Sequence, residues 1–331
     1  MPEGCAKFMT SRLFVFVVLL FSGTVNCATA QPTKLERIGV IHMGGVLTSV
    51  VDGLRAGLKD AGLQEDRQFA LEIHDIKGDA KLAESVAQKF ERDKFRLMFT
   101  ATSPVTAAAM KGTKDISIVF AVGTDPVAQG FVKSFAQPGT RLTGIQYLVR
   151  DLTAKRLELL KEFLPKLRQV VTFYKPDEPV SVESAKLGRA EAQRTGIKFV
   201  ERHVKTAEEL ASALKSIKSG EFDAYLYVPD PLAVNQTQLI IDNARDKRLP
   251  TMFHDQILVT RGALASYGQS YFDIGWHSAK YVRQVLGGAS PADLRVETIE
   301  DVELAFNLNT AKQIGVTIPP NALARAKKVI K

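Results

Sequence analysis

The chain is poor in the residues that nucleophilic and metal chemistry depend on. Its 331 residues include two cysteines, Cys5 and Cys27, and one tryptophan. Both cysteines fall in an N-terminal stretch laid out like a secretory signal. Lys7 and Arg12 precede the apolar run from Leu13 to Phe21, and Ala28-Thr29-Ala30 then supplies the small residues of a cleavage site. Cleavage after Ala30 is expected, giving a mature chain that starts at Gln31 in the periplasm. That chain has no cysteine, which excludes disulfides, thiolate nucleophiles and Cys-ligated metals. The apolar run falls well short of the roughly 20 residues that span a bilayer. Lipid attachment at Cys27 is disfavoured, because the preceding Thr24-Val25-Asn26 is a poor match to the small residues such processing requires.

Histidine is also scarce, and His42, His74, His203, His254 and His277 form no HExxH or C2H2 pattern. A GxSxG elbow is missing, as are the GxGxxG and GxxxxGK[ST] nucleotide loops. His254-Asp255 could pair a general base with an orienting acid, but a polar strand end is the plainer reading. No catalytic residue, metal site or cofactor is therefore expected. The formal charge of +8 falls to about +7 without residues 1–30. No run of five like charges occurs, and aromatics do not interleave with the basic residues. Nucleic acid is thus not an expected partner. The signal also occupies the place where a repressor of similar architecture would carry its DNA-reading helices.

What the sequence does have is a regular alternation of short apolar strands and amphipathic helices. Strands are predicted at Arg37–Ile41, Phe69–Ile76, Leu97–Thr100, Ile116–Val122 and Thr143–Ile145, with helices between the first four. A second series follows a helix at Thr153–Phe163, with strands at Val170–Tyr174, Ile197–His203, Ala224–Val228, Thr251–Phe253 and Ala263–Tyr267. The chain closes on a helix at Ile274–Leu286, a strand at Val302–Leu308 and a helix at Asn321–Ile330. The expected fold is α/β, with two doubly wound, Rossmann-like lobes joined by a hinge. Lobe 1 comprises residues 31–145 plus about 270–295, and lobe 2 residues 146–269 plus about 300–331. The join near Gly144 to Arg150 must be short, since no Pro- or Gly-rich linker separates the series.

Ligands of open α/β sheets sit beyond the carboxyl ends of the strands. There the chain places Gly44-Gly45, where a ligand can approach backbone N–H groups. It also places three oxygen-bearing residues before proline: Ser103-Pro104, Asp125-Pro126 and Asp230-Pro231. Each reads as a helix N-cap followed by proline in the first turn. A hydroxyl there can donate to a ligand carboxylate, and a carboxylate can accept from a ligand ammonium. Tyr147, Tyr227, Tyr267 and Tyr271 lie near strand ends or crossings. Tyr267 is the favoured cleft aromatic, because it ends an apolar strand.

From Arg37 to Ile330 the chain resembles the ABC-transporter substrate-binding family whose best-known members bind tryptophan or phenylalanine. The resemblance is carried, in order, by TSPVTAAAM (Thr102–Met110), IVFAVGTDPVAQGFV (Ile118–Val132), TGIQ (Thr143–Gln146), AKRLELLKEFLP (Ala154–Pro165), GALASYGQSYFDIG (Gly262–Gly275) and NLNTAKQIGVTIPP (Asn307–Pro320). It implies the type I periplasmic-binding fold and ligand contacts near Gly44, Ser103, Thr124, Asp125, Asp230 and Tyr267, with Gly45 beside them. The chain departs from the aromatic-amino-acid members at Pro229-Asp230-Pro231, where they tend to carry a Thr-Asp-Asn-type turn. The implied role is delivery of a small molecule, with aromatic amino acids favoured, to an ABC permease by a monomeric receptor. A periplasmic sensor presenting its ligand to a membrane signalling protein is the alternative, and an α/β enzyme the competing class.

Overall fold

A computed structural model describes residues 35–148 and 152–331. The signal expected over residues 1–30, with Cys5 and Cys27, lies outside the described residues, as do residues 149–151 of the expected join.

The first half of the chain builds β1 (Glu36–His42), α1 (Thr48–Asp60), β2 (Phe69–Asp75), α2 (Ala80–Arg92), β3 (Leu97–Ala101), α3 (Ser103–Gly112), β4 (Ser117–Val122) and β5 (Leu142–Tyr147). Periodicity explains these elements. α2 buries Ala83, Val86, Ala87 and Phe90, spaced along one helical face. It starts at Asp79, whose carboxylate accepts from Lys81 N–H at 2.9 Å. β3 is buried over its whole length, as a strand covered on both faces must be.

The second half builds α4 (Leu152–Phe163), β6 (Gln169–Tyr174), α5 (Pro179–Thr195), β7 (Lys198–His203), α6 (Ala207–Ser216), β8 (Ala224–Leu226), α7 (Pro231–Asn235), α8 (Thr237–Asp246), β9 (Thr251–Phe253), α9 (Gln256–Thr260) and β10 (Ala265–Gly268). α5 ends at Gly196, where φ of 68° lets the chain turn left-handed and the Ile197 N–H return to Ala192 O at 2.8 Å. The chain then returns through α10 (Tyr271–Leu286) and β11 (Glu297–Ile299). It finishes with β12 (Glu303–Asn307), α11 (Leu308–Ile314), α12 (Pro320–Ala324) and β13 (Lys328–Ile330).

The strands form two sheets. One has the order β2-β1-β3-β4-β5-β11 with every pair parallel. The other has the order β7-β6-β8-β9-β10-β12-β13, parallel except where β12 meets β10. Both are doubly wound, and each order reverses between its first two βα units, at β1/β3 and at β6/β8. Those switch points are where this architecture opens a crevice. The C-terminal helix expected over Asn321–Ile330 is corrected. Only α12 is helical, and Lys328–Ile330 pairs with β12 as a parallel edge strand. The β-branched pair Val329-Ile330 suits that pleated edge better than a last helical turn.

Three connections join the sheets: β5 to α4, Gln269-Ser270 from β10 to α10, and residues 300–302 from β11 to β12. α10 is drawn back onto the first sheet by close contact with α1. A Cβ on Gly53 would lie 1.8 Å from Phe272 O, and one on Gly275 would lie 1.9 Å from Val50 O, so no larger residue fits either position. Gln269 ties all three connections. Its amide oxygen accepts from Leu148 N–H, and its amide nitrogen donates to Ile299 O. Asp255, at the start of α9, adds a third hydrogen bond at the connections by accepting from Tyr271 N–H at 2.7 Å.

Candidate functional site

The carboxyl ends of the two sheets face each other across a cavity with about 500 Å³ of atom-free space. Its first-lobe wall is built from the ends of β1, β3 and β4. Met43 and Leu47 supply apolar surface after β1. At the end of β3 the backbone is strained: Thr102 has φ of 91°, held by its N–H donating to Ala121 O at 2.8 Å. Its Oγ1 is buried without a partner. α3 begins at the next residue with no side-chain cap, so the positive end of its dipole meets the cavity uncapped, although Pro104 brings no N–H and the Thr106 N–H returns to Thr102 O at 3.0 Å. The Ser103 and Thr124 hydroxyls bond to each other at 2.7 Å beside that helix start.

The second-lobe wall comes from the ends of β6 and β8. It carries Glu178 and Val180 after β6, and Tyr227, Pro229, Asp230, Pro231 and Val234 after β8. Asp230 is 4 % exposed and accepts four hydrogen bonds. Its Oδ1 takes the Leu232 and Ala233 N–H groups of α7, each at 2.9 Å. Its Oδ2 takes Lys175 N–H at 2.8 Å and the Ser181 hydroxyl at 2.9 Å. Glu178 precedes α5 and caps nothing. Burial, reinforced by the nearby Asp230 carboxylate, pushes its carboxyl above the ordinary range.

Aromatic rings close the hinge side. Tyr147 and Tyr271 line the cavity and meet edge to face at 6.1 Å. Tyr227 completes the set, with His254 stacked on it at 4.1 Å. Burial holds the His254 ring well below its usual pKa, and neither ring nitrogen finds a partner. Its neighbour Asp255 turns instead to the N–H groups of Ile257 and Tyr271, both at 2.7 Å, so the two do not form a base–acid relay. Arg156 is buried behind this group, its Nε donating to Tyr267 O at 2.7 Å and its guanidinium 6.0 Å from the Tyr227 ring.

Of the residues singled out in the sequence, Ser103, Thr124 and Asp230 line the cavity, as do Tyr147, Tyr227 and Tyr271. The others stand elsewhere. Tyr267 pairs with Leu304 inside the second sheet and packs among that lobe's apolar residues. Tyr271, at the connection itself, occupies the cavity edge instead. Asp125 is exposed outside the lining, where it accepts from the Val127 and Ala128 N–H groups of a turn rather than a helix. Ser103 is the first residue of α3 and not its cap. Gly44 lies against Asp75 of its own lobe. Gly45 meets the other lobe, where a Cβ on it would lie 3.0 Å from Val234 O and 3.2 Å from Asn235 Oδ1. The two lobes therefore touch at the rim of the cavity. Glu178 was missed, although Glu178-Pro179 repeats the acid–proline pattern at another strand end. A glutamate is too long to cap well, and that leaves its carboxylate free for the cavity.

Among the described residues, no helix is long and apolar enough to cross a membrane. The family model described as ABC transporter substrate binding protein matches residues 38–330. A tyrosine-binding protein of Clostridioides difficile is 31 % identical over 287 residues, covering 86 % of this chain and 82 % of the relative. A conserved domain protein from Vibrio cholerae superposes with a TM-score of 0.80 at 30 % identity, over 89 % of this chain and all of that one. A Streptococcus pneumoniae ABC domain in complex with L-Trp gives 0.79 at 24 % identity, over 90 % of this chain and all of that one. The chain belongs to the ABC transporter substrate-binding protein family.

Proposed function

We propose that this protein is the exported receptor of an ABC importer and that it carries an amino acid with an aromatic side chain in the cavity between its lobes. The observation that carries this reading is the division of labour in the cavity. The first lobe offers the uncapped start of α3 with the Ser103 and Thr124 hydroxyls, which suits a carboxylate. The second lobe offers carboxylates, which suit an ammonium. The tyrosines and the apolar side chains between them suit a ring. The 31 %-identical tyrosine-binding relative supports the same ligand class. The N-terminal sequence supports export, with the mature chain starting at Gln31, and family membership supports a membrane permease as the partner.

A melting screen with the mature protein against amino acids, carboxylates, purines and sugars tests the ligand class. A true ligand at about 100 times its dissociation constant adds about 2.7 kcal/mol of stability. The expected hits are tyrosine, tryptophan or phenylalanine. A shift given only by sugars or purines refutes the reading.

A further inference from the structure

Two carboxylates, Glu178 and Asp230, line the cavity, and among the described residues no lysine, arginine or histidine does. The two acids differ in what they can still accept. Asp230 is committed to the protein, with two donors on each oxygen. Glu178 stands free, since its side chain caps nothing and has no bonding partner among the described residues. It sits half-buried beside Asp230 and near Asp177, and the Lys175 ammonium, outside the lining, only partly offsets their charge. The first-lobe wall opposite supplies hydroxyls, backbone N–H groups and apolar side chains, with no charged side chain among its described residues. A partly desolvated carboxylate beside a second one is unfavourable in an empty cleft. A cation brought in by the ligand relieves it.

Resting on the amino-acid reading above, we propose that Glu178 receives the ligand's α-ammonium and so makes a free amine a condition of binding. Asp230, fixed by its four donors, shapes the turn before α7 and adds its field without touching the amine. Deaminated or N-acylated relatives of the ligand are then excluded, however well their rings fit.

The test is calorimetry on the mature protein and on Glu178→Gln. The probes are the tightest of tyrosine, tryptophan and phenylalanine, and its deaminated 3-arylpropionate. The unaltered protein is expected to prefer the amino acid by at least about 30-fold. Glu178→Gln is expected to lose about 30-fold to several thousandfold for the amino acid. For the arylpropionate it should change by less than about threefold, and the melting temperature of the free protein should not fall. Equal weakening of both probes, or of neither, overturns the assignment. If Glu178→Gln does not fold, Glu178→Asp, which withdraws the charge by one methylene, must show the same selective loss. An unaltered protein that binds none of the three amino acids overturns the amino-acid reading and this assignment with it. Normal amino-acid binding by Glu178→Gln sinks the assignment alone.

Discussion

Closure of the lobes can be tested at a single methyl group. Gly45 lies in the first lobe at φ of 61°, and Val234 and Asn235 of α7 lie against it from the second. Gly45→Ala introduces two separable costs. Left-handed backbone costs an L-residue about 1–2 kcal/mol, whether the cleft is open or shut. That cost lowers the melting temperature of the free protein and cancels in ligand affinity. The second cost exists only when the lobes meet. The new Cβ would sit 3.0 Å from Val234 O, 3.2 Å from Asn235 Oδ1 and 3.3 Å from Asn235 Cα. Two of these are backbone atoms, and α7 is anchored at its start by Asp230, so it cannot simply swing away. Overpacking of this kind costs about 1–3 kcal/mol. A penalty borne by the closed state alone weakens ligand binding about 5- to 150-fold. Calorimetry gives the affinity, and solution scattering with and without ligand gives the degree of closure. Gly44→Ala is the comparison. Its Cβ would lie 2.3 Å from Asp75 Oδ1 within one lobe, so its cost falls mainly on the melting temperature. If Gly45→Ala loses stability yet binds ligand within twofold of the parent, the contact between Gly45 and α7 does not belong to the ligand-bound state, and the closure argument fails.

The acids before proline should behave differently from one another. Asp230→Asn places an amide N–H₂ where an oxygen now accepts, facing either the Lys175 N–H or the N–H groups of α7. A loss of about 2–3 kcal/mol and several degrees in Tm is expected, and an unchanged Tm would contradict the bonding described. Asp125→Asn keeps the one oxygen that accepts in its turn, so both stability and ligand affinity should stay within about 0.5 kcal/mol and threefold of the parent. Burial raises the Asp255 carboxyl to about 6, against an ordinary 3.8. Between those values the folded state holds a proton that the unfolded chain has released. The contribution of this group is therefore fully present below about pH 4 and is lost as pH rises through about 6. It amounts to about 3 kcal/mol. Denaturant titrations from pH 4 to 7 should show that slope in the parent and not in Asp255→Asn, and parallel profiles would refute it.

The alternation of apolar runs carried most of the fold because a parallel strand covered on both faces has to be almost wholly apolar, as β3 and β4 are apart from Thr100 and Ser117. The helices between them were legible for a similar reason, since each must keep one stripe against a sheet. Short elements escaped. α9 has five residues, too few for a period to register, and β13 has three. The strand-end rule led to the cavity because the backbone, and not any motif, decides where two doubly wound sheets open. Within the cavity the same rule lost resolution. Tyr267 and Tyr271 are four residues apart, yet one is packed within a sheet and the other stands at the connection, a difference set by where β10 ends. Asp230 illustrates a different kind of illegibility. Its local pattern gave the cap on α7, but its second oxygen is filled by Lys175 and Ser181, 55 and 49 residues earlier in the chain. Only the folded pairing of β6 with β8 brings those donors to it. The same pairing sets Glu178 beside Asp230 and leaves one acid saturated and the other free. What the sequence could offer was a set of acids before prolines. Which of them is free for a ligand depends on long-range partners, and that division shifts the expected ammonium contact from Asp230 to Glu178.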